Sequence, residues 1–126
     1  MTTKEMADKL IPLLREEKYE EIQRNLFAKN VVSIEPEGIP DNVTKGIDTV
    51  LEKGQNWEKM VEKVHFLEVS DPIVSKDHIA VGTKIKVSFK NNPVPMDMDE
   101  ITIYEVQNGQ IIKEQFFYLP SKEMVS

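Results

Sequence analysis

The feature that most constrains this chain is a change of apolar period near Lys63. Before that point apolar residues recur every three or four positions, and after it they alternate one by one as far as Leu119. A repeat of 3.6 places side chains on one helix face and a repeat of two places them on one strand face, so neither pattern can serve the other element. The spacing therefore predicts helices first and a sheet second. Four strands are expected, Lys63 to Val74, Ile79 to Lys90, Met96 to Gln107 and Gln110 to Leu119, with turns at Ser75 to His78 and Asn91 to Pro95. Asn108-Gly109 between the last two is a strong hairpin signal, because both residue types tolerate positive φ.

In the first half, Thr2 and Glu5 have the spacing of a capping box, and Met6, Leu10, Leu13 and Leu14 follow at helical intervals. Pro12 removes a backbone donor, so this helix should bend there or end near Glu16. A second helix carries Tyr19, Ile22, Leu26 and Phe27 on one face and is expected to end near Asn30. Val31 to Glu35 reads as a short strand closing on Pro36, and Pro36 to Asn42 as a loop. Thr44 is the expected cap of a third helix, whose broad face holds Ile47, Val50, Leu51, Gly54, Trp57 and Val61. The order is α, α, β, α and then four β. Helices are the only material available to cover one face of the meander, which makes this one α+β domain over residues 1–126.

Composition narrows the function by exclusion. The chain has no cysteine, which removes disulfides, thiolate metal sites and a thiol nucleophile, and fits a reducing compartment. Its 22 acidic against 16 basic residues leave a net charge of −6, which offers no footprint for phosphate backbones, so nucleic acid is not an expected partner. No run reaches membrane-spanning length and the start lacks the pattern of a secretory signal, so a soluble, cytoplasmic protein is expected. His65 and His78 share no short motif; no metal and no cofactor are expected.

Strand parity then sorts the candidate site residues. Met98, Glu100, Thr102 and Tyr104 share one face of their strand, Ile101 and Ile103 the other, and the inside-apolar rule would bury the isoleucines. Apolar residues on both faces also suggest self-association, so a homodimer is expected. On the last strand Glu114, Phe116 and Tyr118 oppose Gln115, Phe117 and Leu119. Parity with Leu67 and Val69 would turn His65 inward, whereas His78 lies in a turn and should be exposed. Trp57 should pack as core or as cavity wall.

Several stretches resemble a known superfamily. The run Leu26-Phe27-Ala28-Lys29-Asn30-Val31-Val32-Ser33-Ile34-Glu35-Pro36 is similar to the second-helix and first-strand region of nuclear-transport-factor-2-like proteins. Val43-x-x-Gly46, Met98-Asp99-Glu100-Ile101, Tyr104 to Ile111 and Glu114 to Tyr118 resemble its SnoaL-like branch. The resemblance implies a curved sheet wrapped on helices as a cone with a deep cavity, and dimerisation through a sheet face. It further implies Glu35 as general base, at the place of the carboxylate that precedes Pro in the related ketosteroid isomerases, with Glu standing for their Asp. Glu100 falls near their second acid, which stays protonated and donates to a developing enolate. Glu114, Phe116 and Tyr118 would face the cavity. The isomerases' helix-one tyrosine has no counterpart in Leu10-Ile11-Pro12, and Tyr19 lies too far along, so steroid isomerisation is not implied. Three readings remain open. One is an isomerase, cyclase or dehydratase acting on an apolar carbonyl compound through Glu35 and Glu100; another is a non-catalytic binder of a small apolar molecule or peptide, acting as a dimer; the third is a protein-interaction module that uses the exposed sheet face.

Overall fold

The computed structural model describes residues 1–121. Three helices, α1 (Thr3–Arg15), α2 (Tyr19–Leu26) and α3 (Ile47–Met60), pack on one sheet built from β1 (Phe27–Ile34), β2 (Val43–Lys45), β3 (Val61–Val69), β4 (Ile73–Val74), β5 (His78–Phe89), β6 (Asn92–Gln107) and β7 (Gln110–Phe117). The strand order is β2-β1-β7-β6-β5-β3, with β4 on β5. Neighbours run antiparallel except β1 and β7, which are parallel. Register shifts in β1–β7, β3–β5, β5–β6 and β6–β7 bend the strands, and the sheet curves around the helices without closing. The architecture is α+β.

The local signals act as their chemistry requires. Thr2 caps α1 through a complete capping box with Glu5. Pro12 lies on the exposed side of α1, which ends one turn later at Arg15. Asn108 and Gly109 take φ of 51° and 73° in the β6–β7 hairpin. Gly54 faces α2, where a Cβ would meet the Gln23 side-chain amide at 3.1 Å.

Elsewhere tertiary pairing moves the expected boundaries. Helix α2 stops at Leu26 rather than Asn30, because Phe27 already pairs with Ile111 and buries its ring in the core. Thr44 does not cap α3; Val43–Lys45 pairs with β1, and Gly46, at φ 89°, turns the chain into the helix and donates its N–H to Val31 O at 2.8 Å. That backbone conformation favours glycine. The first meander strand breaks at Asp71-Pro72 into β3 and β4.

The core lies between helices and sheet. Met6, Leu10, Ile22 and Val50 meet Val31, Ile79, Val81 and Ile111, all nearly or fully buried. No helix among the described residues is long and apolar enough to cross a membrane.

Candidate functional site

Strand β6 presents its polar side to the helices. Thr102 and Tyr104 are 3% and 4% exposed, whereas Ile101 is 52% exposed and Ile103 half-buried. The expectation that the isoleucines lie in the core is thus reversed. Sheet curvature decides this: the concave face, covered by α1, α2 and α3, carries Tyr104, Thr102 and Glu100, and the convex face is left with Ile101.

The ladders bring acids together on that concave face. Ser33 of β1 stands beside Glu114 of β7, which stands beside Tyr104 of β6. Paired residues share a face, so these three form one row. Glu100 lies two alternations from Tyr104 on the same side of β6, opposite Thr83. Glu35 follows the end of β1, its N–H donating to Asn42 O at 2.8 Å and its carbonyl accepting from the Asn42 side chain at 3.3 Å.

Lys53 reaches this row from α3. Its Nζ lies 3.1 Å from Glu35 Oε1, donates to Ser33 Oγ at 2.9 Å and sits 5.2 Å from the centre of the Phe116 ring. Ser33 Oγ in turn donates to Glu114 Oε1 at 2.8 Å, and the Tyr118 hydroxyl donates to Glu35 Oε2 at 3.0 Å. The result is a continuous chain: Tyr118, Glu35, Lys53, Ser33, Glu114.

Three carboxylates against one ammonium leave the site acidic. Burial, and then the Glu35 and Glu114 charges, push the Glu100 carboxyl up to about 7. Burial likewise brings Glu114 up to about 7, although the Ser33 hydrogen bond and Lys53 oppose it. Both acids therefore exchange a proton near neutrality, where general acid–base groups are effective. Burial and neighbouring acids also hold the phenols neutral: Tyr19 is pushed up to about 12, and Tyr104 and Tyr118 are raised as well.

Glu100, Tyr104 and Tyr19 form a second group. Among the described residues none of them makes a side-chain hydrogen bond, Tyr104 is 4% exposed, and the Glu100 charge helps to raise both phenols. None is sealed off from space either, since the only enclosed side-chain atom without a partner among the described residues is Ser121 Oγ. Glu35 and Tyr118 open on a depression of about 610 Å³, walled by Ile34, Pro36, Phe116 and Phe117.

The remaining sequence candidates stand apart from the chain of hydrogen bonds. Met98 is half-buried opposite Ile85. Trp57, one turn beyond Lys53, packs edge-on against Phe89 at 5.4 Å. His65 does not turn inward; it is exposed, with Nε2 3.0 Å from Ser88 Oγ. The β3–β5 register slips between Val64 and Phe66, so His65 is the bulged residue and parity with Leu67 fails there. His78 is exposed beside Asp77 and Glu105. Ser33, Lys53 and Tyr19 escaped the sequence reading. Ser33 had a signal, the shared parity of Val31, Ser33 and Glu35, and Lys53 is the one charged residue on the Val50 to Trp57 stripe of α3.

A curved, unclosed mixed sheet wrapped on three helices is the architecture of nuclear-transport-factor-2-like proteins. Within it, the chain belongs to the SnoaL-like domain family, which matches residues 1–118. A proposed SnoaL-like polyketide cyclase (carbohydrate phosphatase) from Mesorhizobium loti is 30% identical, superposes with a TM-score of 0.88, and the match covers 94% of this chain and 100% of that one. A nuclear-transport-factor-2-like protein of unknown function from Burkholderia pseudomallei superposes at 0.79 with 13% identity, over 100% of this chain and 99% of the other. A protein of ketosteroid-isomerase-like fold from Catenulispora acidiphila, in complex with trimethylamine, superposes at 0.67 with 18% identity, over 84% and 77%. The last two show the shared fold. No curated protein matches the sequence.

Proposed function

We propose that the protein is a small-molecule acid–base enzyme of the SnoaL-like type, acting on a largely apolar carbonyl compound held on the concave face. The observation that carries this reading is that Glu35 lines an open depression and is tied through Lys53 and Ser33 to the buried Glu114, with Glu100 and Glu114 both raised to about 7 by burial. Glu35 would take a proton from the carbon next to the carbonyl, Lys53 and Tyr118 holding its carboxylate in place. Glu100 would deliver a proton to the oxygen as negative charge develops. The test is proton exchange: carbonyl compounds incubated with the protein in heavy water and followed by NMR should lose α-protons, and Glu35→Gln should slow the exchange by about a hundredfold or more. Exchange unchanged in Glu35→Gln would remove the assignment.

A second reading, binding without turnover, is favoured by the ground-state engagement of Glu35 with both Lys53 and Tyr118. It predicts thermal stabilisation by ligands and no exchange. In either case we propose a homodimer through the convex face, where Ile101 and Phe117, 52% and 46% exposed, are ladder neighbours beside a shallow depression. Ile101→Asp should then halve the mass seen by light scattering.

A further inference from the structure

We propose that the hydrogen-bond chain from Glu35 to Glu114 is a proton relay, in which Lys53 and Ser33 carry a proton from the base at the depression to a buried carboxylate. Its use in catalysis rests on the reading of Glu35 as that base, whereas the path itself rests on the placement of these side chains.

A buried acid without a part in the reaction is the first support. Glu114 is 7% exposed and lines neither the depression at Glu35 nor the one on the convex face, so it does not meet a substrate there. A carboxyl in such a place is costly as an ion. Its side-chain hydrogen bond among the described residues comes from Ser33, which is itself fully buried.

The second support is direction. Lys53 Nζ donates to Ser33 Oγ at 2.9 Å, and Ser33 Oγ donates to Glu114 Oε1 at 2.8 Å, so both bonds point toward Glu114. Lys53 Nζ also lies 3.1 Å from Oε1 of Glu35, which lines the depression. Each link is within hydrogen-bond length, and a hydroxyl accepts one proton as it releases another.

The transfer conserves protons and charge. Once Glu35 holds the substrate's proton, it passes that proton to Lys53 as the Lys53 ammonium gives one to Ser33 and the Ser33 hydroxyl proton moves to Glu114. Glu35 is left ionised, Lys53 an ammonium and Ser33 a hydroxyl as before, and Glu114 a neutral acid. A seated substrate gives the path its purpose, because it shuts water away from Glu35, and a base that keeps its proton cannot act again. Burial favours the neutral form of Glu114 and brings its carboxyl up to about 7, so the end of the chain takes a proton near neutrality. The titratable groups that face it are Glu35, Lys53, Glu100 and Tyr104.

NMR of protein labelled at the glutamate carboxyl carbons tests the path without any substrate. In the parent protein Glu114 should titrate in fast exchange with solvent, as one signal that moves as pH passes through about 7. Lys53→Arg keeps a cation beside Glu35 and a donor for Ser33, but a guanidinium does not give up a proton. It should slow proton exchange at Glu114 by about a hundredfold, so that the neutral and ionised forms give separate signals. Ser33→Ala removes the next link and leaves the ion pair in place, and should have the same effect. Fast exchange in either folded variant would mean that Glu114 reaches water by another route and would overturn the relay, as would slow exchange in the parent. The variants cut different links, so one that folds is enough. α-Proton exchange in a carbonyl compound is measured separately: its absence would remove Glu35 as the base, and the relay would still be decided by the carboxyl signals.

Discussion

The two halves of the concave site differ in how their polar groups are satisfied. On the Glu35 side every acid has a partner: Tyr118 and Lys53 hold Glu35, and Ser33 holds Glu114. On the other side Glu100, Tyr104 and Tyr19 make no side-chain hydrogen bond among the described residues, although the Glu100 charge reaches both phenols. A satisfied network fixes geometry and supports stability, whereas an unsatisfied one forgoes stability and leaves bonds for something else to make. The first half is organised by bonds within the protein, and the second is not.

Removing Lys53 should break the contrast most severely. Lys53→Met strips the cation from Glu35 and the donor from Ser33, and should lower stability by about 2 kcal/mol in urea unfolding, since partial exposure softens the loss. A loss within error would mean the paired half is not held by its ion pair.

Next in size is the dependence of stability on pH. Glu100 and Glu114 bind protons more tightly in the folded chain than their ordinary value of 4.5, so the native state carries extra protons between there and about 7. Stability should be greatest at the acidic end of that window, fall as pH rises through it and level off above it. Glu114→Gln should flatten part of the slope. A stability that rises with pH across the window would contradict the burial of these acids.

Ser33→Ala should cost about 1 kcal/mol and raise the Glu114 carboxyl further, because the hydroxyl donates to the ionised form. NMR of labelled glutamate carboxyls would read the shift. The smallest effect separates the halves most directly. Tyr118→Phe loses a bond to Glu35 and should cost roughly 0.5–1 kcal/mol, whereas Tyr104→Phe, which loses none, should stay within about 0.5 kcal/mol of the parent. A larger loss in Tyr104→Phe would mean that its hydroxyl is already engaged.

How far the site could be read from sequence follows the same division. Sharing of a face by Glu100 and Tyr104, or by Glu114, Phe116 and Tyr118, is a property of strand alternation and needs no fold. Lys53 meeting Glu35 is different, because eighteen positions and a change of element separate them. A helix pattern states that Lys53 borders an apolar stripe but not which strand lies beneath it. His65 shows the limit from the other side, since one bulge cancels the parity that would have turned it inward.

The sequence by itself determined the three helices in their order, the Thr2 cap, the Asn108-Gly109 hairpin and the two faces of β6 and β7, all set by spacing and local backbone chemistry. Only the tertiary structure decided which face is concave. It turned Ile101 outward and gathered Glu35, Glu100 and Glu114 on the helix-covered side, because curvature and burial depend on residues far apart along the chain. It also placed Gly46 rather than Thr44 at the start of α3, since pairing of Val43–Lys45 with β1 used the backbone that a cap would need.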